Sequence, residues 1–308
     1  MTFRYLSVAV LLGLAALSGS PRQADAALNV FACEPEWASL VQELGGEKVS
    51  VYAATNAQQD PHQVQARPGL IARARSADLV VCTGAELEIG WMPVVLRQSG
   101  NARIQPSGPG YFESAQYVRL LDIPNKLDRA EGDVHAAGNP HIQTSPHNIR
   151  AVAVALGKRL GEIDGGNASV YAQRTQDFLR RWDAATKKWE AAAAPLRGIN
   201  IAVAHKNWVY LVTWLGMNDP IALEPKPGVP AGPAYLTQVL EEIPRKSVRF
   251  VIYAAYEDAR PSRYISEQAK IPAVLLPFTV GGTDAAKDLF GHFDDTIARL
   301  LAGLAGHD

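Results

Sequence analysis

Three histidines and one aspartate occupy comparable places in this sequence, each in a loop shortly after an apolar run. They are His62 in DPH, His141 in NPH, His205 in AHK and Asp284 in GGTD. Open α/β sheets bind ligands outside the carboxyl ends of their strands, so two facing sheets would bring these side chains into one cleft. Three imidazoles and one carboxylate suit a tetrahedral zinc ion. The wide spacing of the four residues predicts a site that depends on a folded scaffold, unlike a zinc finger.

The elements that must position these residues alternate between strand and helix. In the first part of the chain, strands are predicted at Leu28–Cys33, Val49–Ala53 and Leu79–Cys82, each followed by a helix, at 35–44, 67–76 and 91–98. Such alternation indicates parallel pairing and a doubly wound sheet. Tyr117–Leu121 is the candidate for a fourth strand of this sheet.

The middle of the chain is predicted to form a helical connector between two α/β parts. Helices are expected at Ser145–Ile163 and Asn167–Pro195, and the second has no internal Gly or Pro. At ~1.5 Å per residue it would be about 40 Å long, the length of a whole domain. The alternation then resumes with strands at 199–204, 250–253 and 273–276 and helices at 208–215, 234–243, 261–268 and 284–301. We therefore predict an N-terminal α/β lobe over 27–165, a connecting helix over 166–196 and a C-terminal α/β lobe over 197–308.

The first 26 residues have the pattern of a cleaved signal peptide. Arg4 precedes the apolar run Val8–Leu17, which is too short to span a bilayer, and Ala24-Asp25-Ala26 offers a cleavage site. A buried N-terminal helix is the alternative. The pattern predicts an exported protein of a bacterial periplasm. The net charge of −1 gives no basic excess, which argues against a nucleic-acid partner.

Cys33 and Cys82 are the two cysteines of the chain, and each ends an apolar run. If those strands are parallel neighbours, their carboxyl ends lie side by side and a disulfide is geometrically allowed. An oxidising compartment favours the disulfide over the alternative, two buried free thiols. No CxxC motif is present, so a metal site of cysteines is not expected.

The sequence resembles the ZnuA/TroA-like family, the periplasmic solute-binding proteins of zinc and manganese ABC transporters. The motifs that carry the resemblance are DPHQVQARPGLIARARSADLVV, GAELEIGW, GNPHIQTSPHNI, VAHKNWVYLVTWLG and PFTVGGTDAAKDLF. Within this family, the sequence most resembles the zinc branch that includes AztC-like proteins. The resemblance implies two (β/α)4-like lobes with parallel sheets, joined by a long rigid backbone helix, with the metal site in the interlobe cleft. It places the metal ligands at His62, His141, His205 and Asp284.

The resemblance also implies a function. The protein would be a carrier rather than an enzyme, and would deliver Zn²⁺ to an ABC transporter permease, as a monomer. A periplasmic zinc metallochaperone is a further partner that the zinc branch suggests. Manganese is the alternative cargo, but manganese sites of this family have two carboxylates, whereas three imidazoles favour zinc. A secreted zinc hydrolase, a siderophore- or cobalamin-binding protein and a surface adhesin are the rival functions.

Several further polar residues lie near these motifs. Zinc members of the family often carry a long His-rich loop before NPH, whereas here 129–139 holds one histidine, His135. We expect His135 to be a solvated loop residue, with a transient ligand as the alternative. Asp288 is a reserve fourth ligand, and Asp60 and Glu34 are candidate hydrogen-bond acceptors for the ligating imidazoles. No metal role is expected for the remaining histidines: His147, His292 and His307.

Overall fold

The computed structural model describes residues 27–124, 132 and 135–306. The predicted signal peptide and His307 lie outside the described residues. Eight strands are described, β1 to β8: Leu28–Ala32, Val49–Ala53, Leu79–Cys82, Tyr111–Glu113, Ala202–Val203, Ile221–Ala222, Val251–Ala254 and Ala273–Leu276. The helices α1 to α9 of the described residues are Pro35–Gly45, Pro68–Arg75, Met92–Ser99, Pro146–Ile163, Ala168–Ala192, Val209–Leu215, Pro233–Arg245, Ala259–Ala269 and Leu289–Ala305.

The strands form two four-stranded sheets, in the orders β2-β1-β3-β4 and β6-β5-β7-β8. Every described strand pair is parallel, as in the register Val30↔Val51 between β1 and β2 and Ile252↔Val274 between β7 and β8. The predicted α/β fold with two lobes is therefore confirmed. In each lobe the chain crosses over to place the first strand second in the sheet, so the loops that follow β1 and β5 lie near the sheet centre.

The fourth strand of the first sheet is not where the sequence predicted it. Tyr111–Glu113 pairs with β3 as β4, and the predicted strand Tyr117–Leu121 is wrong. Tyr111–Glu113 fills the edge of the sheet, and Ser114–Tyr117 turns away as a 3-10 helix. The strand β6 was also not predicted, because it is only two residues long.

The helix α5 connects the two lobes. Its buried residues form one stripe at helical spacing: Tyr171, Thr175, Phe178, Trp182, Thr186 and Trp189. Near its start, Arg174 donates to the carbonyl of Glu43 in α1 at 2.8 Å. Near its end, the Trp189 indole donates to Asp294 in α9 at 2.8 Å. Because both lobes pack on one continuous helix, wide hinge motion between them is disfavoured.

The final helix begins later than predicted, at Leu289 instead of Asp284. Asp288 is its N-cap and accepts a hydrogen bond from the Gly291 N–H at 2.8 Å. The segment 279–288 is consequently a series of turns, and Asp284 does not share a helix face with Asp288. In the part of the chain that the structure describes, each helix is too short or too polar to span a bilayer.

The structure contains the disulfide between Cys33 and Cys82, with a Cα–Cα distance of 4.8 Å. β1 and β3 are parallel neighbours, as the sequence predicted; Cys33 directly follows β1 and Cys82 ends β3. Met92 of α3 packs on this pair, with its Sδ 3.9 Å from the Cys33 Sγ.

Removal of this disulfide is expected to destabilise the chain. The Cys33→Ala, Cys82→Ala double variant should lose about 4 kcal/mol of unfolding free energy, because the disulfide closes a loop of 49 residues in the unfolded chain. Urea unfolding of the metal-free protein measures this loss. A change below about 1 kcal/mol would show that the disulfide contributes little to stability.

Candidate metal centre

His62, His141 and His205 come together at the carboxyl ends of the two sheets. His62 lies in the loop between β2 and α2, His141 precedes α4, and His205 follows β5. The ring centroids are 5.3 Å apart for His62 and His141, 6.1 Å for His141 and His205, and 6.3 Å for His62 and His205. The three rings meet edge to face, so no two of them are stacked on one another. One small cation could therefore contact all three.

Two of these histidines are presented by the same local turn. In Asp60-Pro61-His62 the Asp60 carboxylate accepts the His62 backbone N–H at 2.9 Å. In Asn139-Pro140-His141 the Asn139 side chain accepts the His141 backbone N–H at 3.0 Å. Asx side chains form such turns with the residue two positions later, and the intervening proline has a fixed φ. The repeated turn explains why both imidazoles are held rigidly in otherwise irregular segments.

Two carboxylates, the buried one of Glu224 and the half-buried one of Asp60, orient two of the rings. His62 Nδ1 lies 2.7 Å from Asp60 Oδ1, and His205 Nδ1 lies 2.7 Å from Glu224 Oε1. A carboxylate on Nδ1 leaves Nε2 as the metal-binding atom and increases its basicity. Glu224 follows β6 and was missed from the sequence because that strand is so short. Asp60 fills the acceptor role that was predicted for it, whereas Glu34 hydrogen-bonds Thr83 instead.

His141 is the most buried of the three, with 2% of its surface exposed. Its Nδ1 has no hydrogen-bond partner among the described residues, and Phe278 packs against its ring at 5.3 Å. Burial, followed by the neighbouring imidazoles, lowers the pKa of His141 well below its usual value. This imidazole is therefore neutral and available to a cation near pH 7.

The pKa of His205 is shifted in the opposite direction to that of His141. Burial acts to lower the pKa of His205, but the hydrogen bond and charge of Glu224 outweigh it and raise that pKa. Burial acts to raise the pKa of Asp60, but the hydrogen bonds and charge of His62, together with the charge of His205, outweigh burial and lower that pKa. Asp60 therefore remains charged beside the imidazoles near pH 7, which favours a cation at this position.

His135 joins the three histidines, contrary to the expectation of a solvated loop residue. Its Nε2 lies 3.2 Å from His62 Nε2, and the ring centroids are 5.3 Å apart. Its ring lies 6.5 Å from that of His141. Two imidazole nitrogens this close favour a shared proton or a shared cation. The sequence signal was one histidine in a short polar segment before NPH, which is too weak to predict a contact across the cleft.

Asp284 is not part of this cluster in the structure. It is exposed, in a turn after β8, and no hydrogen bond or ion pair joins it to an imidazole of the described residues. The turn itself rests on the first lobe, because the Thr279 hydroxyl donates to the Glu36 carboxylate. Gly281 has a positive φ and faces Ala57.

Three further polar residues lie outside the cluster. Asp288 caps α9, as described above. His292 is buried beside Phe293, and burial lowers its pKa to about 4. His147 is largely exposed and pairs with Glu190 at 2.9 Å.

Two cavities flank the imidazoles. One has a volume of about 600 Å³ and is lined by His135, His141 and His205 together with apolar side chains such as Trp208 and Met217. The other, of about 650 Å³, reaches His205 from the side of Asp60 and Glu224. The cluster therefore lies in the interlobe cleft, between two open spaces through which a cation could enter.

The Glu224→Gln variant is expected to bind a divalent metal ion about 10- to 100-fold more weakly, because the amide is a weaker acceptor for the His205 ring. Glu190→Gln is the matched control, since it alters the glutamate of an exposed His–Glu pair and should leave the affinity unchanged. A chelator-competition titration measures both. Equal affinity of the Glu224→Gln variant and the unmodified chain would remove Glu224 from the site.

Known proteins resemble this chain in sequence and in fold. The model of the family described as ZnuA, zinc-uptake complex component A, periplasmic, matches residues 30–303. The manganese ABC transporter substrate-binding lipoprotein PsaA of Streptococcus mitis is 22% identical over 307 residues, which cover 97% of this chain and 96% of the relative. The metal ABC transporter substrate-binding lipoprotein ScbA of Streptococcus cristatus is 22% identical over 282 residues, covering 90% of this chain and 89% of the relative.

Solved structures share the fold. A crystal structure of ZnuA has a TM-score of 0.76 at 19% identity, covering 92% of this chain and 100% of that chain. The manganese-bound periplasmic metal binding protein from Candidatus Liberibacter asiaticus has a TM-score of 0.73 at 14% identity, covering 90% of this chain and 99% of that chain. At these identities the likeness concerns the two-lobed architecture alone.

Proposed function

Because this chain belongs to the ZnuA family of periplasmic zinc-uptake components, we propose that it captures one Zn²⁺ ion and delivers it for import. It is a metal-binding solute-binding protein of an ABC transporter, and its family consists of transport proteins rather than enzymes. The identity of the metal, its ligands and its route of delivery are the substance of this proposal.

The observation that carries the proposal is the convergence of three imidazoles from both lobes. His62 and His141 come from the first lobe and His205 from the second, so one bound cation would bridge the lobes. Neutral imidazole is a preferred ligand of zinc, and a closed set of protein ligands suits a carrier. A catalytic zinc site would instead keep an open position for water.

Zinc is favoured over manganese by the donor set. Manganese prefers carboxylate and water oxygens, whereas His62, His141 and His205 offer nitrogen. The relatives include a manganese transporter lipoprotein, so manganese is the competing cargo. The carboxylates of Asp60 and Glu224 lie behind the imidazoles and hydrogen-bond the Nδ1 atoms of His62 and His205, so they are not counted as ligands.

The family resemblance implies Asp284 as the fourth ligand, whereas His135 is the further residue that lies against the three histidines. We propose that His135 fills this position in the present conformation, because it already contacts His62. Asp284, the ligand that the resemblance implies, would replace it after a rearrangement of the turn at 279–288. The two arrangements differ in which loop must move when the metal is released.

Single alanine variants distinguish these arrangements. If His135 is the fourth ligand, His135→Ala should weaken zinc binding by roughly 10-fold or more and Asp284→Ala should have little effect. The opposite ranking would assign the position to Asp284. Chelator competition at constant pH gives both values, and His147→Ala serves as the control for loss of an imidazole elsewhere on the surface.

The choice of metal is tested by competition. The chain is stripped with a chelator, dialysed against zinc with a large excess of manganese and iron(II), washed, and analysed by plasma mass spectrometry. We expect one zinc per chain, and none in the His62→Ala, His141→Ala double variant. Retention of manganese instead would overturn the zinc assignment. Retention of no metal would overturn the site and favour an organic ligand, such as a siderophore.

The proposed partners follow from the transporter assignment. We propose that the chain acts as a monomer in the periplasm and docks on a membrane permease that a cytoplasmic ATPase drives. A periplasmic zinc metallochaperone is a further proposed donor of the ion. Since α5 holds both lobes, release should depend on the loops that carry His135 and His205 rather than on wide opening of the cleft.

A further inference from the structure

A second group of metal-binding atoms lies in the first lobe, apart from the histidines. The Sγ atoms of Cys33 and Cys82 and one carboxylate oxygen of Glu88 all lie within 4.8 Å of one another. The thioether of Met92 is 3.9 Å from the Cys33 sulfur. All four side chains are buried, with Glu88 the most exposed at 5%.

The surroundings of this group are rich in buried carboxyl groups. Glu34, Glu36 and Glu88 are all buried, and the carboxyl groups of Glu34 and Glu88 hydrogen-bond each other. Neutral groups also donate to these carboxyls: the Thr83 hydroxyl and backbone N–H, the Gly84 N–H and the Thr279 hydroxyl. Burial raises the pKa of both Glu36 and Glu88 to about 7. A buried carboxylate without a cation is costly, so protons or a metal ion must compensate these charges.

Glu88 is held in position by the backbone. Its carboxylate accepts the N–H groups of Thr83 at 2.8 Å and Gly84 at 3.1 Å, directly after the strand that ends in Cys82. Glu88 therefore stays beside the sulfur atoms whether or not the disulfide is present. In the disulfide form the sulfur atoms are bonded to each other, and thiolate ligation is blocked.

We propose that the dithiol form of this chain has a second metal site, in which Cys33, Cys82 and Glu88 bind a soft divalent cation such as Zn²⁺ or Cd²⁺, with Met92 as a weak fourth ligand. Thiolates and thioethers favour soft cations, and Cys-rich tetrahedral sites are typical of zinc. The disulfide and this second site are mutually exclusive, so the oxidation state of the cysteine pair sets whether the second site can bind a metal ion.

A dithiol reductant can convert the disulfide of Cys33 and Cys82 to the dithiol form that binds the metal ion. The reductant supplies two electrons and two protons, the S–S bond breaks, Cys33 and Cys82 become thiols, and the reductant becomes a disulfide. The cation then displaces the two thiol protons to solvent and forms two metal–sulfur bonds. This site does not depend on the proposed function of the histidine cluster, and the two can be tested separately.

The test uses cadmium, because cadmium thiolates have a charge-transfer absorption in the ultraviolet that imidazole complexes lack. The full mature chain carrying His62→Ala and His141→Ala is refolded with a phosphine reductant, and two free thiols are confirmed with Ellman's reagent. We expect one Cd²⁺ per reduced chain with the thiolate band, and no band in the oxidised chain. Cys33→Ala, Cys82→Ala should abolish the band.

Glu88→Gln tests the carboxylate without removing the cysteines. In the reduced chain it should weaken cadmium binding by at least about tenfold. Glu36→Gln is the matched control, since it alters a buried glutamate of the same region that is not a proposed ligand. A folded dithiol chain without the band would overturn the proposal. So would a reduced chain that cannot fold, or an unchanged affinity in Glu88→Gln.

Discussion

Replacing His141 with alanine is expected to weaken zinc binding by roughly a hundredfold or more. Tetrahedral protein sites bind zinc with about 10–16 kcal/mol, so the loss of one ligand of four costs several kcal/mol. His141 is the most buried of the three imidazoles and lies close to both of the others. Burial also lowers the pKa of His141, so its imidazole is neutral near pH 7 and can bind a cation without losing a proton.

His147→Ala is the control for this variant. His147 lies at the start of α4, shortly after His141, and its ring is largely exposed. Zinc affinity is measured by competition with a chromophoric chelator, and circular dichroism checks that both variants fold. A His141→Ala variant that binds zinc about as tightly as the unmodified chain would contradict the assignment of this histidine as a ligand.

The second large effect is a loss of zinc affinity as the pH falls. Zinc must displace any proton from the imidazoles, so affinity is greatest above their pKa values and declines below them. Glu224 outweighs burial and raises the pKa of His205, so His205 takes up a proton at a higher pH than a free imidazole does. The decline should therefore begin above pH ~6.5, the usual pKa of a free imidazole.

Glu224→Gln separates the contribution of His205 from that of the other imidazoles. Without the charge of Glu224, the pKa of His205 should fall, because burial then disfavours the charged ring with less opposition. The variant should bind zinc more weakly in mildly alkaline solution but lose less affinity as the solution is made mildly acidic. Chelator-competition titrations from mildly alkaline to mildly acidic pH give the slope of zinc affinity against pH for each protein. Parallel curves for both proteins would show that Glu224 does not control the protonation of His205.

The three central histidines could be predicted from their places in loops. His62 and His205 each follow a strand that the sequence marks clearly, and His141 lies in a loop just before a helix. His62 and His141 are also preceded by an Asx-Pro dipeptide. In the structure the Asx side chain accepts the backbone N–H of the histidine and forms a turn. The α/β architecture was predictable for the same reason, since apolar strands and helices alternate in both halves. The connector α5 was evident from its length and its lack of Gly and Pro.

What the sequence could not predict depends on contacts between distant segments. Glu224 follows a strand of two residues, so nothing local indicates that it faces His205. His135 lies in a short polar segment, and its position against His62 is set by the packing of the two lobes. The fourth strand was misplaced because Tyr117–Leu121 and Tyr111–Glu113 have similar apolar character, and pairing with β3 selects between them.

Zinc K-edge X-ray absorption of the disulfide-bonded chain loaded with one zinc ion tests the central claim most directly. Multiple scattering from imidazole rings distinguishes histidine from carboxylate ligands, and sulfur is recognised by its longer bond. A site of His62, His141 and His205 predicts at least three imidazoles, no sulfur and a total of four nitrogen or oxygen neighbours. A spectrum with one imidazole or none, or with sulfur bonded to the zinc, would contradict it.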